Sequence, residues 1–358
     1  MNRCVPAPVE SGNLGDDDGT KLCMSRTSLI TLSPAGLYCA AGDFHIDPWR
    51  GVPRAVITHA HADHARSGSD LYVASHDGMP LLRRRLARGS LLRGVDYGRR
   101  FRLGKAWVSL HPAGHVLGSA QVRVEVGSRV WVASGDYKRD PDPTCQPFEV
   151  VPCDTFITEA TFALPIYRWR PASEVAADIH DWWRHNAEGG RTTVLFCYAL
   201  GKAQRLLAEL RRYTDRTVYL HGALTPLVEA YREAGVAMLP TMPVSELGRG
   251  ADLSDALVLA PPSAAGSPWM RRFRRHASGF ASGWMRIRGN RRRRGYDRGF
   301  VLSDHADWPS LLQTVRETGA DHVLATHGRT DVFVRYLNEV VGIRAEPLRT
   351  EFGDEADD

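Results

Sequence analysis

Thr58-His59-Ala60-His61-Ala62-Asp63-His64 packs three imidazoles and a carboxylate into the six residues from His59 to His64. Arg54-Ala55-Val56-Ile57-Thr58, just before it, is a short β-branched run that reads as a buried strand. The polar groups therefore sit on the loop leaving a strand, where a scaffold can aim them. Alternation puts His59 and His61 on one side, and Asp63 with His64 can reach a second position nearby. Neutral imidazole and carboxylate suit Zn²⁺, and two such groups suggest a two-metal site. The plainer readings are a solvated His-rich turn or a structural metal site. Structural zinc usually uses Cys, and this stretch has none.

With 358 residues, the chain has room for two domains or for one domain with a large insertion. Its 43% apolar content supports a full core. No stretch approaches the roughly 20 apolar residues that a membrane span needs. The N-terminus carries Asp16, Asp17 and Asp18 without the apolar segment of a secretory signal. Cys4, Cys23, Cys39, Cys145, Cys153 and Cys197 show no CxxC pair, which points to reduced thiols and a cytoplasmic setting.

Residues 1–23 are polar and unpatterned and read as a disordered extension, with Met24 as a candidate start. Gly36 to Cys39 reads as a strand. Asp47, about a dozen residues before the histidine loop, either orients a ligand or simply opens an Asp-Pro turn. Asp77 to Arg88 looks helical and basic. In His111-Pro112-Ala113-Gly114-His115-Val116-Leu117-Gly118, both histidines compete as a third imidazole ligand. His115 is preferred because its small neighbours allow close approach. Further strands end in polar groups: Arg129 to Ala133 before Asp136, Asp154 to Thr158 before Glu159, Arg298 to Leu302 before His305, and Asp321 to Ala325 before His327. An α/β fold that delivers such groups at strand ends builds a site along one edge. Helix Pro309 to Thr318 separates the last two strands, and residues after Glu351 form an acidic tail.

From about Pro171, strands and helices alternate: strand Thr192 to Cys197, helix Arg205 to Tyr213, strand Val218 to Leu220, helix Pro226 to Ala234 and strand Ala256 to Ala260. This pattern predicts a small parallel α/β unit inserted as its own domain. Gly201 and Lys202 at a helix start offer either a phosphate site or an ordinary strand–helix turn. Residues 271–298 hold eleven Arg and one acid, Asp297, with Phe273, Phe280, Trp284 and Tyr296 interleaved. Such uncompensated charge suits a polyanion better than a solvated face, and the aromatics could stack on bases. Arg271, Arg272, Arg274, Arg275, Arg286 and Arg288 are the expected contacts, with Arg291 to Arg294 as a mobile loop.

Collected together, these residues resemble the metallo-β-lactamase superfamily. Glu159 in Glu-Ala-Thr, followed by Ser303-Asp304-His305, is similar to the β-CASP nuclease branch. Gly42-Asp43-Phe44-His45-Ile46-Asp47-Pro48-Trp49, Ala281-Ser282-Gly283-Trp284-Met285 and Ser303-Asp304-His305-Ala306-Asp307-Trp308 look most like the bacterial ligase-associated DNA exonucleases. The resemblance, over residues 30–350, implies an αββα sandwich at 24–170 and 299–358, with a β-CASP cap at 171–298. It implies that His59, His61 and His115 hold one Zn²⁺, that Asp63, His64 and His327 hold a second, and that Asp136 bridges them. Mn²⁺ is an alternative metal. His305 would be the general acid, positioned by Glu159, with Asp63 also essential to catalysis. The implied activity is phosphodiester hydrolysis by a DNA exonuclease acting in repair with an ATP-dependent DNA ligase. RNA remains the alternative substrate, because a His at the position of His327 is common in RNA-processing members of the branch. A small-molecule hydrolase would share the His-x-His-x-Asp-His loop but would not need Glu159, His305 or the arginine cluster. A non-catalytic nucleic-acid-binding protein would be expected to have lost some of these ligands.

Overall fold

A computed structural model describes residues 28–248, 250–287, 289 and 295–350. The N-terminal extension, Arg288, the Arg291–Arg294 run and the acidic tail lie outside the described residues. The described residues build three sheets. The first holds β1 (Thr31–Ser33), β2 (Gly36–Cys39), β3 (Phe44–Ile46), β4 (Arg54–Val56), β5 (Leu71–Ser75) and β6 (Leu91–Val95), in chain order. The second opens with β7 (Phe101–Leu103), β8 (Ala106–Pro112), β9 (Ala120–Val126), β10 (Arg129–Ala133) and β11 (Thr155–Glu159). The chain then leaves it to build the third from β12 (Thr192–Phe196), β13 (Val218–Leu220), β14 (Thr241–Pro243), β15 (Leu257–Ala260), β16 (His276–Ala281) and β17 (Arg298–Phe300), ordered β14-β13-β15-β12-β16-β17. It returns to the second sheet with β18 (His322–Thr326) beside β11 and β19 (Arg344–Pro347) at the edge. Among the described residues the α-helices are α1 (Met79–Arg85), α2 (Ala172–Glu188), α3 (Lys202–Glu209), α4 (Thr225–Glu233), α5 (Trp308–Thr318) and α6 (Thr330–Tyr336). None of them is long and apolar enough to cross a membrane.

Period-two alternation sorts the strand side chains into layers. Phe44, Ile46, Val56 and Val73 of the first sheet face Val108, Leu110, Val122 and Val124 of the second across one apolar core. The outer face of the first sheet packs Tyr72 and Ala74 against Leu81 and Leu82 of α1. On β11, Ile157 points into the inter-sheet core, while its neighbour Phe156 points out toward Leu311 and Val315 of α5. The third sheet, parallel throughout, is covered on one face by Ile179, Trp182 and Trp183 of α2 and by Leu206 and Leu207 of α3. The protein is therefore mixed α/β, with two sheets face to face between helices and a third sheet with its own cores.

The α3 helix begins earlier than the sequence pattern suggests. Gly201 takes φ +85° and its N–H donates to the Gln204 Oε1 at 2.7 Å, so the turn starts at Lys202. The basic helix at 77–88 is shorter, limited to Met79–Arg85 behind a turn capped by Ser75 Oγ. The largest departure lies in 271–298, where β16 inserts between β12 and β17. Phe273 and Phe280 fill the core on that side and are 3% and 0% exposed, so neither can stack on a base. A composition-based reading could not separate these anchors from surface aromatics.

Phe156 is fully buried between the second sheet and α5. Phe156→Ala is expected to cost about 3–5 kcal/mol, read in urea denaturation as a lower midpoint at unchanged slope. A midpoint within error of wild type would contradict the packing described.

Candidate metal centre and its cavity

The residues of the histidine loop are fixed from behind. Asp47 sits at φ 44° and uses both carboxylate oxygens. Oδ1 accepts from the Thr58 N–H (2.7 Å), and Oδ2 accepts from Thr58 Oγ1 (2.5 Å) and from His64 Nδ1–H (2.7 Å). That last bond sets the His64 tautomer and turns Nε2 inward. The parallel strands β10, β11 and β18 end side by side, which brings Asp136, Glu159 and His327 to the same edge. His327 is also left-handed (φ 58°). Two of the three non-glycine residues with positive φ among those described thus belong to this site, as expected where the surrounding structure holds a functional conformation.

Two groups of potential ligand atoms converge: His59, His61, His115 and Asp136, and beside them Asp63, His64 and His327. In the first, His61 Nδ1 lies 2.9 Å from His59 Nε2 and 3.1 Å from His115 Nε2. Asp136 Oδ2 is 3.3 Å from His59 Nε2 and 3.8 Å from His115 Nε2. The same oxygen is 3.5 Å from His64 Nε2, which is 3.4 Å from Asp63 Oδ2. A tetrahedron with zinc–nitrogen arms of about 2.0–2.1 Å has edges of about 3.3 Å, so the spacing and donor types fit a divalent cation of that kind. His111 lies apart, bonded through its ring nitrogens to Ser109 and Glu149, so it is His115 that joins the cluster.

Burial is the largest influence on these groups. It pulls His61 down to about 3, helped by His59, and His115 well below the ordinary range, helped by His305. It lowers His327 as well. Burial also opposes charge on Asp63 and Asp136, but His64 overcomes it and holds both carboxyls below their usual range. Burial opposes charge on His64 as well, but Asp63, Asp136 and Asp47 outweigh it and raise its pKa well above the ordinary imidazole value. Ionised carboxylates beside neutral rings are the form that binds a cation, and binding would displace the His64 proton.

Glu159 is buried and accepts three hydrogen bonds: from the Tyr137 N–H (2.8 Å), from Thr161 Oγ1 (2.6 Å) and from His305 Nδ1–H (2.8 Å). His305 lies against His115, with ring centroids 4.7 Å apart. Asp136, Glu159 and His305 form a third convergent group. Here, however, Glu159 already has protein partners.

Above the site opens a cavity of about 390 Å³. One wall carries His61, Asp63, His115, Asp136 and His327. The other is made by segments that leave the carboxyl ends of the third sheet: Tyr198–Leu200 after β12, Pro261–Ser263 after β15, Ser282–Trp284 after β16 and Ser303–His305 after β17. Ligands in open parallel sheets bind outside such ends. Arg271, Arg272, Arg274, Arg275 and Arg286 are exposed but do not line this cavity. Arg272 donates to the Val244 carbonyl and Arg286 to that of Ile166. Lys202 is 2% exposed with its ammonium 2.6 Å from Asp304; burial brings its pKa down to about 8, opposed by Asp304. Arg85 does line the cavity, with its Nε–H donating to the Ala60 carbonyl inside the histidine loop at 3.2 Å. Sequence reasoning passed over Arg85 because its basic helix showed nothing that linked it to the loop.

No family model matches the chain. A probable DNA ligase of Opitutus terrae is 30% identical over 338 residues, covering 89% of this chain and 32% of that protein. Endoribonuclease ysh-1 of Neurospora crassa is 32% identical over 126 residues, 34% of this chain and 15% of that protein. Integrator complex subunit 11 of Danio rerio is 30% identical over 133 residues, 35% and 22% respectively. The chain thus spans about a third or less of these relatives' length. A crystal structure of a protein of unknown function from Enterococcus faecalis shares the fold, with a TM-score of 0.53 at 12% identity over 83% of this chain and 79% of that one.

Gly135, at φ +57°, lies against Thr58; a Cβ there would come within 2.7 Å of Thr58 Oγ1, the group that holds Asp47. Gly135→Ala removes no ligand, yet it is expected to weaken divalent-cation binding about 10–100-fold, the usual size for a disturbed supporting shell. Titration against a chelator checks this, and wild-type affinity would contradict the support assigned to Thr58 and Asp47.

Proposed function

We propose that the protein is a metallo-β-lactamase-fold nuclease of the β-CASP branch, a metal-dependent phosphodiesterase that acts as a DNA exonuclease in repair. The observation that carries this is the juxtaposition of two His/Asp clusters and the His305–Glu159 pair at one cavity, which His61, Asp63, His115, Asp136, His305 and His327 line. The long match to a relative named as a probable DNA ligase supports the DNA reading and association with a DNA ligase activity; that this ligase is ATP-dependent is part of the proposal. The shorter matches to proteins named as endoribonucleases keep RNA as the second reading. The proposed organisation has the unit at 171–298 capping a sandwich formed by 24–170 and 299–358. Its metal ligands are His59, His61 and His115 for one Zn²⁺ and Asp63, His64 and His327 for the other, with Asp136 shared.

When bound, such cations supply Lewis acidity and bring the pKa of a water toward neutrality. The chain's own residues do the rest. Arg85, oriented by the Ala60 carbonyl, offers its terminal nitrogens to a phosphate at the cavity mouth. Trp284 and Phe162 also line the cavity, with Phe162 packed on both Trp284 and His305. Glu159 takes the Nδ1–H of His305, which leaves Nε2 to protonate the leaving oxygen. Burial disfavours the imidazolium, but Glu159 overcomes it and raises the pKa to about 9, so the acid form is present at neutral pH.

Purified protein with zinc should release mononucleotides stepwise from labelled single-stranded DNA, and Asp63→Ala should not. Preferential cutting of RNA would shift the assignment to the second reading, and no cleavage of either would end it. His305→Ala should keep its zinc and lose about 10²–10⁴-fold in kcat; an equally active variant removes His305 from the chemistry. The wild-type rate should fall as pH rises through about 9, where His305 loses its proton. Glu159→Gln, which removes the stabilising charge, should move that fall to lower pH. Arg85→Ala should raise KM and flatten the log–log salt dependence of binding by about 0.7–0.9 per lost phosphate contact; an unchanged slope would exclude the contact.

A further inference from the structure

A buried charge cluster that takes no part in the chemistry above links the third sheet to the histidine cluster. Lys202 and Arg205, one turn apart on α3, are each 2% exposed. Lys202 Nζ is 2.6 Å from Asp304 Oδ2. Arg205 Nη1–H donates to the Ser303 carbonyl at 2.7 Å and lies 3.5 Å from Asp304 Oδ1, while its Nε is 3.4 Å from Asp142 Oδ2. Asp142 is held in turn by Lys138 Nζ at 2.5 Å. Three segments, the loop after β10, helix α3 and the turn after β17, thus meet through fully buried ions. Such networks seldom add stability over apolar packing, so their use has to be sought in what they position.

The backbone that these ions hold faces the histidines. The Asp304 carbonyl accepts from His115 Nδ1–H at 2.7 Å, and the Leu200 carbonyl, in the turn leading into α3, lies 3.4 Å from His61 Nε2. Independently of the ions, Gly201 lets that turn seat against the His115 loop, since a Cβ there would be 2.5 Å from Val116 Cγ1 and 3.5 Å from Asp304 Oδ2. Two of the three histidines of the first cluster therefore turn their outer nitrogens toward carbonyls supplied from the third-sheet side.

We infer that Asp304 and Lys202 are positioning residues through which the third-sheet unit completes the cation site formed by His59, His61 and His115. With its side chain gripped by Lys202 and Arg205, Asp304 holds the carbonyl that keeps the His115 proton on Nδ1 and so presents Nε2 to the cation. The site formed by Asp63, His64 and His327 takes its support from Asp47 instead and is independent of α3. The inference rests on the proposal that both clusters bind metal.

The test is a titration of metal-free protein with zinc against a competing chelator, and with cobalt, whose visible absorption reports ligand geometry. Wild type, Lys202→Met and Asp304→Asn are compared, with Val124→Ala in the inter-sheet core as a control for general destabilisation. Lys202→Met should weaken one zinc site about 10–100-fold and leave the other unchanged, with an altered cobalt spectrum at the weakened site, whereas Val124→Ala should move neither. If Lys202→Met does not fold, Asp304→Asn, which removes the charge that Lys202 and Arg205 grip, carries the same expectation. Wild-type affinity at both sites in the folded Lys202 and Asp304 variants would overturn the inference alone. A wild-type protein that binds no zinc would overturn the metal proposal beneath it.

Discussion

One buried carboxylate oxygen, Asp136 Oδ2, lies between the two groups of imidazoles, within 3.3–3.8 Å of His59, His64 and His115. Like-charged or lone-pair-bearing atoms packed this tightly away from water repel one another unless protons or cations stand between them. The proton held on His64 by three carboxylates and the lowered pKa of the neighbouring rings are two sides of that conflict. The fold spends much of its local order keeping these atoms together. Asp47 and His327 accept left-handed backbone, Gly135 closes on Thr58, and Glu159 is fixed by three donors.

The placement follows from strand direction. Where β10, β11 and β18 run parallel, their carboxyl ends share one edge, so a carboxylate or imidazole just past each strand arrives at a common point. The third sheet is parallel as well and presents its own carboxyl ends to the same space. The cavity between these edges has a polar histidine–aspartate wall and a mixed wall carrying Trp284 and Tyr198. That combination suits a substrate with a charged backbone and apolar ring faces. The buried ions around Arg205 keep the second edge in register with the first.

Much of the site was legible because its signals are local. His59 to His64 declare themselves by spacing, and Asp136, Glu159, His305 and His327 by following strand-like runs. Asp47 could be named but not decided, because a turn-opening Asp and an orienting Asp look alike until Thr58 and His64 are seen to bond to it. Three features emerge only from the folded structure. Lys202 resembles a surface phosphate ligand in sequence, and only its burial beside Asp304 shows where its charge is balanced. Phe273 and Phe280 are interleaved with arginines, yet they belong to a buried strand and its approach. Arg85 reaches the cavity through a carbonyl 25 residues away, a contact that no periodicity encodes. In each case the deciding physics is non-local: which charge meets which, and which face meets water.

Whether the two clusters hold cations is decided most directly by the anomalous scattering of zinc at its absorption edge in a crystal grown with the metal. Two peaks are expected on either side of Asp136 Oδ2, one among His59, His61 and His115 and the other among Asp63, His64 and His327. A single peak held by Asp136, Glu159 and His305, or none in the cavity, would contradict this assignment.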